Sequence, residues 1–178
     1  MIFTSNIIST LHAFIASYGA LQLESIFKAG PEAAFTGNCL RDYYLMVTMG
    51  YIIFDLLINI FINPTFDDPV MLVHHIVIPL AFALGVHLGL GTVYMGTLLM
   101  NEMSTPFLNL SWFLLEFELQ NSSWYTVNGV LFAGTFFVCR VFATAYVIYH
   151  IGYTWTSNFH NYWHLISPPV GTSCLMSM

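Results

Sequence analysis

Long apolar stretches separated by short polar breaks follow one another along the whole chain. Five of them approach the length of about 20 mainly apolar residues that a transmembrane helix needs. The breaks between them contain the proline, glycine, asparagine and aspartate residues typical of turns. The pattern therefore predicts an all-α protein, a multi-pass bundle of about five membrane-spanning helices. These helices are expected over residues 3–23, 43–63, 69–88, 92–117 and 124–151.

The sequence changes character after residue 152. Pro168 and Pro169 would stop a helix, and the aromatic-rich segment around them is too polar and too short to cross a bilayer. We therefore predict one transmembrane domain over 1–152. Residues 153–178 are expected to form a C-terminal tail, either loose or lying at the membrane interface.

The composition favours an integral membrane protein. The chain is 57% hydrophobic and only 7% charged, whereas soluble domains contain about 25% charged residues. It has nine acidic residues and only three basic ones, so no basic surface could neutralise a run of phosphates. Nucleic acid is therefore excluded as a partner.

Polar residues nevertheless recur inside the apolar stretches, at the spacing of three or four that places them on one helical face. Ionisable groups at the centre of a membrane helix cost about 2.5–3.5 kcal/mol each, so they usually face a functional interior. Four such faces are found: Ser5, Ser9, His12, Ala16 and Gly19; Tyr44, Thr48, Tyr51, Asp55 and Asn59; Glu102, Thr105, Asn109, Trp112 and Glu116; and Gly129, Ala133, Arg140 and Thr144.

These faces have two interpretations. Small and hydroxyl residues pack membrane helices together in many proteins, and an arginine–carboxylate pair can be purely structural. We favour that interpretation for the serine, threonine, glycine and alanine positions. For Asp55, Glu102 and Arg140 we favour a polar chamber enclosed by the helices, because packing alone does not need full charges.

Two adjacent histidines, His74 and His75, lie in the third apolar stretch. Neighbouring side chains on a helix diverge by about 100°, so the two rings either flank a cavity, or one faces it while the other packs on a neighbouring helix. Imidazole exchanges a proton near neutral pH, and a carboxylate such as Asp55 can orient it. We predict His74, His75 and Asp55 as catalytic residues. The predicted substrate-contacting residues are His12, Tyr51, Glu102, Asn109 and Arg140.

Metal binding is the competing use of clustered histidines. His160 and His164 form an HxxxH pair, but it lies in the predicted tail, and only the pair at 74–75 is clustered at membrane depth. We therefore expect no metal site and no cofactor.

Two prolines lie four residues after ionisable side chains. A proline inside a helix leaves the carbonyl four residues earlier without its hydrogen bond, so Pro79 and Pro106 would free the carbonyls of His75 and Glu102. Free carbonyls at membrane depth are tolerated only where protein or water satisfies them, which favours a hydrated cavity. The alternative is that proline is simply frequent in membrane helices.

Five segments occur in an order that resembles the TLC-domain family. They are STLHAF at 9–14, GYIIFDLL at 50–57, VHHIVIP at 73–79, NEMSTPFLNLSW at 101–112 and the isolated Arg140. The family includes the ceramide synthases, the translocating-chain-associated membrane proteins and several TLC domain-containing proteins, and the chain is most similar to the last branch. Family members carry one more helix before residue 1 and another beyond 151, so we expect the chain to be incomplete.

The resemblance implies a multi-pass protein of the endoplasmic reticulum or plasma membrane, with membrane lipids as its partners. In ceramide synthases the pair equivalent to His74 and His75 is thought to transfer an acyl group from acyl-CoA to a sphingoid amine. Those enzymes carry an HD-x-x-D-x-x-L-E segment where this chain has NEMSTPFLNL. The expected function is therefore in membrane-lipid composition, with a pocket that holds lipid. The alternatives are an acyl-CoA-dependent acyltransferase with His74 or His75 as general base, and a chaperone or cargo receptor.

Overall fold

The computed structural model describes residues 2–22, 31–61, 69–157 and 160, and the structural statements below concern these residues. They form helices and turns without a strand, which confirms the all-α prediction. A 3₁₀ segment, Pro31–Phe35, precedes the second helix. The helices are α1 (Ile2–Gln22), α2 (Cys39–Phe61), α3 (Pro69–Leu88), α4 (Thr92–Leu98), α5 (Thr105–Glu116), α6 (Ser123–Phe136) and α7 (Ala143–Ser157).

Two of the five predicted helices are rods whose winding changes midway. A 3₁₀ segment, Leu99–Ser104, joins α4 to α5, and a π-helical turn, Phe137–Phe142, joins α6 to α7. We call these the α4–α5 rod and the α6–α7 rod. The two irregular segments contain Glu102 and Arg140 and lie against each other. Such π turns inside α-helices are frequent at functional sites.

Within the described residues, three helical segments are long and apolar enough to cross a membrane: α2, α3 and Ser123–Thr156. The other two predicted spans correspond to α1 and the α4–α5 rod, which are helical over nearly the predicted ranges. Neither is both long enough without interruption and apolar enough to count among the three. Large apolar side chains such as Leu11, Leu80 and Val130 are exposed on the outside of the bundle. An apolar exterior over several helices is that of a membrane protein.

The helices pack in an order that surrounds the middle of the bundle. α1 lies along the α4–α5 rod and against α2, α2 packs on α3, and α5 packs on α6. α1 and α2 approach closely at Gly19, where a Cβ atom would lie 2.5 Å from the Tyr44 ring. The first two predicted polar faces, on α1 and α2, therefore turn toward the interior.

The predicted polar face of the last helix was partly wrong. Gly129 and Ala133 are exposed, whereas Asn128 and Cys139 are buried. Gly129 and Ala133 precede the π-helical turn, whereas Arg140 and Thr144 lie in it or after it. The turn inserts an extra residue and rotates the following helical face by about 100°, so regular spacing does not hold across it. Glu116, at the end of α5, is likewise exposed rather than interior.

The two prolines have different surroundings. Pro79 lies inside α3, as predicted. Pro106 lies in the first turn of α5, where a missing N–H is tolerated, and the Glu102 carbonyl accepts the backbone N–H of Thr105. The prediction that Pro106 frees the Glu102 carbonyl was therefore wrong, because a 3₁₀ bond replaces the lost α-helical one.

The last described helix continues past the predicted domain boundary. α7 runs to Ser157, and Thr154 is fully buried. The division into 1–152 and 153–178 remains a prediction, since most of the predicted tail, including His164, Pro168 and Pro169, lies outside the described residues.

Candidate functional site

An open cavity of about 450 Å³ is lined by side chains from α1, α2, α3, the α4–α5 rod and the α6–α7 rod. Every residue that the sequence nominated for the site lines this cavity. These residues are His12, Tyr51, Asp55, His74, His75, Glu102, Asn109 and Arg140. The structure thus brings them together, whereas their catalytic or substrate-binding roles remain predictions.

A histidine–aspartate pair joins α2 to α3 on one wall of the cavity, with His75 buried and Asp55 half-buried. His75 Nε2 lies 2.9 Å from Asp55 Oδ2, and His75 Nδ1 lies 2.8 Å from the carbonyl oxygen of Met71. The carbonyl can only accept, so Nδ1 is a donor, and one proton must lie between Nε2 and the carboxylate. Both ring nitrogens of His75 are therefore engaged.

Further polar groups hold the Asp55 side of this pair. Asn59 Nδ2 donates to Asp55 Oδ2 over 3.1 Å and to the Asp55 carbonyl over 2.8 Å, and Ser5 Oγ lies 3.4 Å from Asp55 Oδ1. The carboxylate is thus fixed from α1, α2 and α3 together. This arrangement suits a group that positions an imidazole more than one that moves during a reaction.

His74 differs from its neighbour in every one of these respects. Its side chain is exposed, and its ring meets that of His75 edge-on, with centroids 5.6 Å apart. Both rings line the cavity, so of the two predicted arrangements the structure has the one in which they flank it. They differ in that His75 bonds to Asp55 and Met71, whereas His74 has no hydrogen bond among the described residues.

His12 lies on the opposite wall, on α1, and is also buried. Its Nε2 lies 3.2 Å from Thr48 Oγ1, and its ring stacks on Tyr51 at 4.0 Å between centroids and 11° between planes. Its Nδ1 has no hydrogen-bond partner among the described residues. Stacking and hydrogen bonding together fix the plane of this ring, so His12 is a rigid part of the wall.

Glu102 and Arg140 meet through a hydroxyl group. Thr105 Oγ1 donates to Glu102 Oε2 over 2.8 Å, while Arg140 donates through Nη2 to Thr105 Oγ1 over 3.5 Å and through Nε to Ser104 Oγ over 3.0 Å. Within the described residues, His75 and Asp55 are the only oppositely charged side chains whose nitrogen and oxygen atoms lie within 4.0 Å of each other. Arg140 and Glu102 are therefore not a direct structural ion pair.

Asn109 makes contacts that are typical of helix packing. Its Nδ2 donates to the Asn6 carbonyl over 3.1 Å and to Thr10 Oγ1 over 2.9 Å, which ties α5 to α1. Asn128 ties α6 to α5 in the same way, through the Phe107 carbonyl and Ser111 Oγ. Both amides thus use their donors between helices, as interhelical polar groups in membranes do.

Apolar walls of the cavity were missed by the sequence reasoning, which followed only polar residues. Phe132 and Phe136 line it together with Leu108. Phe136 lies below the Arg140 guanidinium, with the guanidinium carbon 5.8 Å from the ring centroid. The spacing of four residues between Phe132, Phe136 and Arg140 was the available signal. No group of three or more metal-ligating side chains is found within the described parts of the chain.

The chain matches the family model of the TLC domain over residues 2–178. It therefore belongs to the TLC-domain family, which confirms the resemblance drawn from the five sequence segments. With its apolar helices it is a multi-pass membrane protein of that family.

Curated relatives bear the same name in several organisms. TLC domain-containing protein 4 of Xenopus tropicalis is 28% identical over 139 residues, which are 77% of this chain and 54% of that protein. The human protein of that name is 27% identical over 157 residues, 85% of this chain and 57% of that protein. TLC domain-containing protein 4 A of Dictyostelium discoideum is 29% identical over 160 residues, 85% and 61% respectively. The chain spans about half the length of the curated relatives it matches, and no solved structure matches it.

Proposed function

We propose that this protein acts in membrane-lipid composition and homeostasis, in the endoplasmic reticulum or plasma membrane, and that its cavity holds part of a lipid. The observation that supports the proposal is that exposed apolar side chains form part of the cavity rim. Val70 lines the cavity and is 72% exposed, and Leu108 and Phe136 also line it while remaining exposed. Val70 lies in the first turn of α3, and Phe136 lies within a helical segment that is long and apolar enough to cross a membrane. The exposed apolar rim suits an amphiphile entering from the bilayer.

An acyltransferase that uses acyl-CoA is the second candidate, and the different surroundings of His74 and His75 favour a specific version of it. His74 would take the proton from a lipid amine or hydroxyl as that group attacks the thioester carbonyl, and the CoA thiolate would leave. His75, held by Asp55 and Met71, would position the neighbouring ring. The absence of the HD-x-x-D segment from residues 101–110 favours the first candidate.

Lipidomics of cells expressing matched amounts of each variant tests the proposal. We expect Asp55→Leu to change the lipid profile relative to the native chain, and Leu57→Ala, on the exposed side of the same helix, to leave it unchanged. Equal profiles for all three chains would contradict a lipid role for the cavity.

Turnover by purified protein separates the two candidates. Acyl transfer from acyl-CoA that is lost in His74→Ala would establish the acyltransferase. A lipid effect in cells without turnover would support binding or regulation. A stable protein with neither effect would return the chaperone or cargo receptor to consideration.

A further inference from the structure

We infer that the lipid in the cavity carries an anionic head group that binds Arg140, and that its chain leaves between α3 and the α6–α7 rod. The inference rests on the proposed function, because it presupposes that the cavity holds a lipid. It adds the chemical class of the ligand and its orientation.

The first observation is that Arg140 has a charge without a direct carboxylate partner. Its two hydrogen bonds go to the neutral hydroxyls of Ser104 and Thr105. A guanidinium has five N–H donors in a planar fork, so most of those of Arg140 have no acceptor within the part of the chain that the structure describes. A cation inside a membrane protein needs a counter-charge, and a carboxylate or phosphate that accepts two of these N–H groups supplies it.

Glu102 lies near Arg140 but is not the carboxylate that accepts its N–H groups. Its carboxylate is held by the Thr105 hydroxyl at 2.8 Å. Arg140 reaches Glu102 only through the Thr105 hydroxyl and donates no hydrogen bond to the carboxylate itself, so its guanidinium can still bind an anionic ligand.

The path of the chain follows from the apolar walls. Phe136 lies one helical turn before Arg140, and the Phe132 ring is 5.7 Å from the Phe136 ring between centroids. Across the cavity, the exposed Val70 belongs to α3. A head group at Arg140 therefore places an attached chain against the phenylalanine rings and out into the bilayer. The reverse orientation would push the chain among Glu102, His12 and Tyr51, which is unfavourable because it buries charged groups against hydrocarbon.

The test uses the purified full chain in neutral maltoside micelles, with binding measured by native mass spectrometry. The probes are phosphatidic acid, oleate and a diacylglycerol, the first and last with identical chains, and inorganic phosphate as a competitor. We expect the two anionic lipids to bind at least about tenfold more tightly than the diacylglycerol, as a charge-assisted bidentate contact would provide. Arg140→Gln should abolish the difference, Arg140→Lys should retain part of it, and the outward-facing Leu131→Ala should leave it unchanged.

Several results would overturn the inference. Equal binding of diacylglycerol, or undiminished anionic selectivity in Arg140→Gln, would remove Arg140 from the head-group site. Competition by inorganic phosphate alone would show a site for soluble anions instead of lipids. Failure of all lipids to bind the native chain would instead contradict the proposed function itself.

A second variant keeps the test independent of the folding of Arg140→Gln. Glu102→Gln removes the neighbouring negative charge while keeping Arg140. Anionic lipids should therefore bind several-fold more tightly, whereas the affinity for the diacylglycerol should not change. Weaker anionic binding in Glu102→Gln would count against the inference.

Discussion

The two ends of the bundle differ in whether their polar side chains border a cavity. At one end, His74, Glu102 and Arg140 border an open cavity. At the other end, the 3₁₀ segment Pro31–Phe35 closes over α4 and α7, and Thr92 and Thr154 are fully buried beneath it. No side chain of this closed end, as far as the structure describes it, lines the cavity.

At the closed end, hydrogen bonds join buried polar side chains within and between the helices. Arg41 Nη1 donates to Thr92 Oγ1 over 3.1 Å. His150 Nδ1 lies 3.0 Å from Thr154 Oγ1 and 3.4 Å from the Tyr94 hydroxyl. Apolar groups such as Phe35 then cover these contacts. Ionisable residues are thus buried at both ends, and the candidate site differs from the closed end in that its ionisable residues border open space.

The largest expected effect comes from breaking the charged pair of the open end. Asp55→Ala removes the partner of His75 Nε2. Because Asp55 is only half-buried and borders the cavity, we expect a cost near the upper end of the about 1–3 kcal/mol that an unsatisfied buried group brings. We expect a strongly lowered melting temperature of the purified protein, measured by tryptophan fluorescence. Leu57→Ala, on the same helix but exposed, is the control, and a melting temperature for Asp55→Ala equal to that of the control would show that the pair is not a structural element.

The contact between α1 and α2 near the closed end should give the next largest effect. Gly19→Ala would place a Cβ atom 2.5 Å from the Tyr44 ring, and overpacking of this kind costs about 1–3 kcal/mol. Gly50→Ala is matched, because a Cβ there meets nothing within 4 Å. We expect only the first to lower the melting temperature, with lipid binding per folded molecule unchanged. A loss of binding in folded Gly19→Ala would show that the two ends are coupled.

A smaller effect is expected from a buried hydroxyl of the closed end. Thr154→Val removes the group 3.0 Å from His150 Nδ1 without changing the shape of the side chain, and a hydrogen bond of this kind contributes about 0.5–1.5 kcal/mol. Thr156→Val changes an exposed residue of the same helix. The two variants should differ in melting temperature by a few degrees. Identical values would mean that the closed end is held by apolar packing alone.

The sequence predicts the helical faces correctly where the helix winds regularly, and fails where the winding changes. The helices and the polar faces of α1 and α2 follow from regular spacing, since both helices are continuous. Gly129 and Ala133 were misplaced because a π-helical turn is invisible to an argument that assumes one winding. The apolar cavity wall at Phe132 and Phe136 was missed because phenylalanine in a membrane helix carries no polar signal. The burial of Arg41 was missed because its partner Thr92 is distant in sequence.

The smallest expected effect on stability is also the sharpest test of the histidine pair. His74→Gln changes an exposed ring with no hydrogen bond among the described residues, so its free energy of unfolding should stay within about 0.5 kcal/mol of the native value. His75→Gln breaks the contacts to Asp55 and Met71 and should behave like Asp55→Ala. If the cavity acts on lipid through a proton-accepting imidazole, the stable His74→Gln variant should lose the lipid effect in cells, because its amide cannot accept a proton. Full retention of the lipid effect in His74→Gln would remove imidazole chemistry from the cavity and leave only its shape and charge to explain lipid binding.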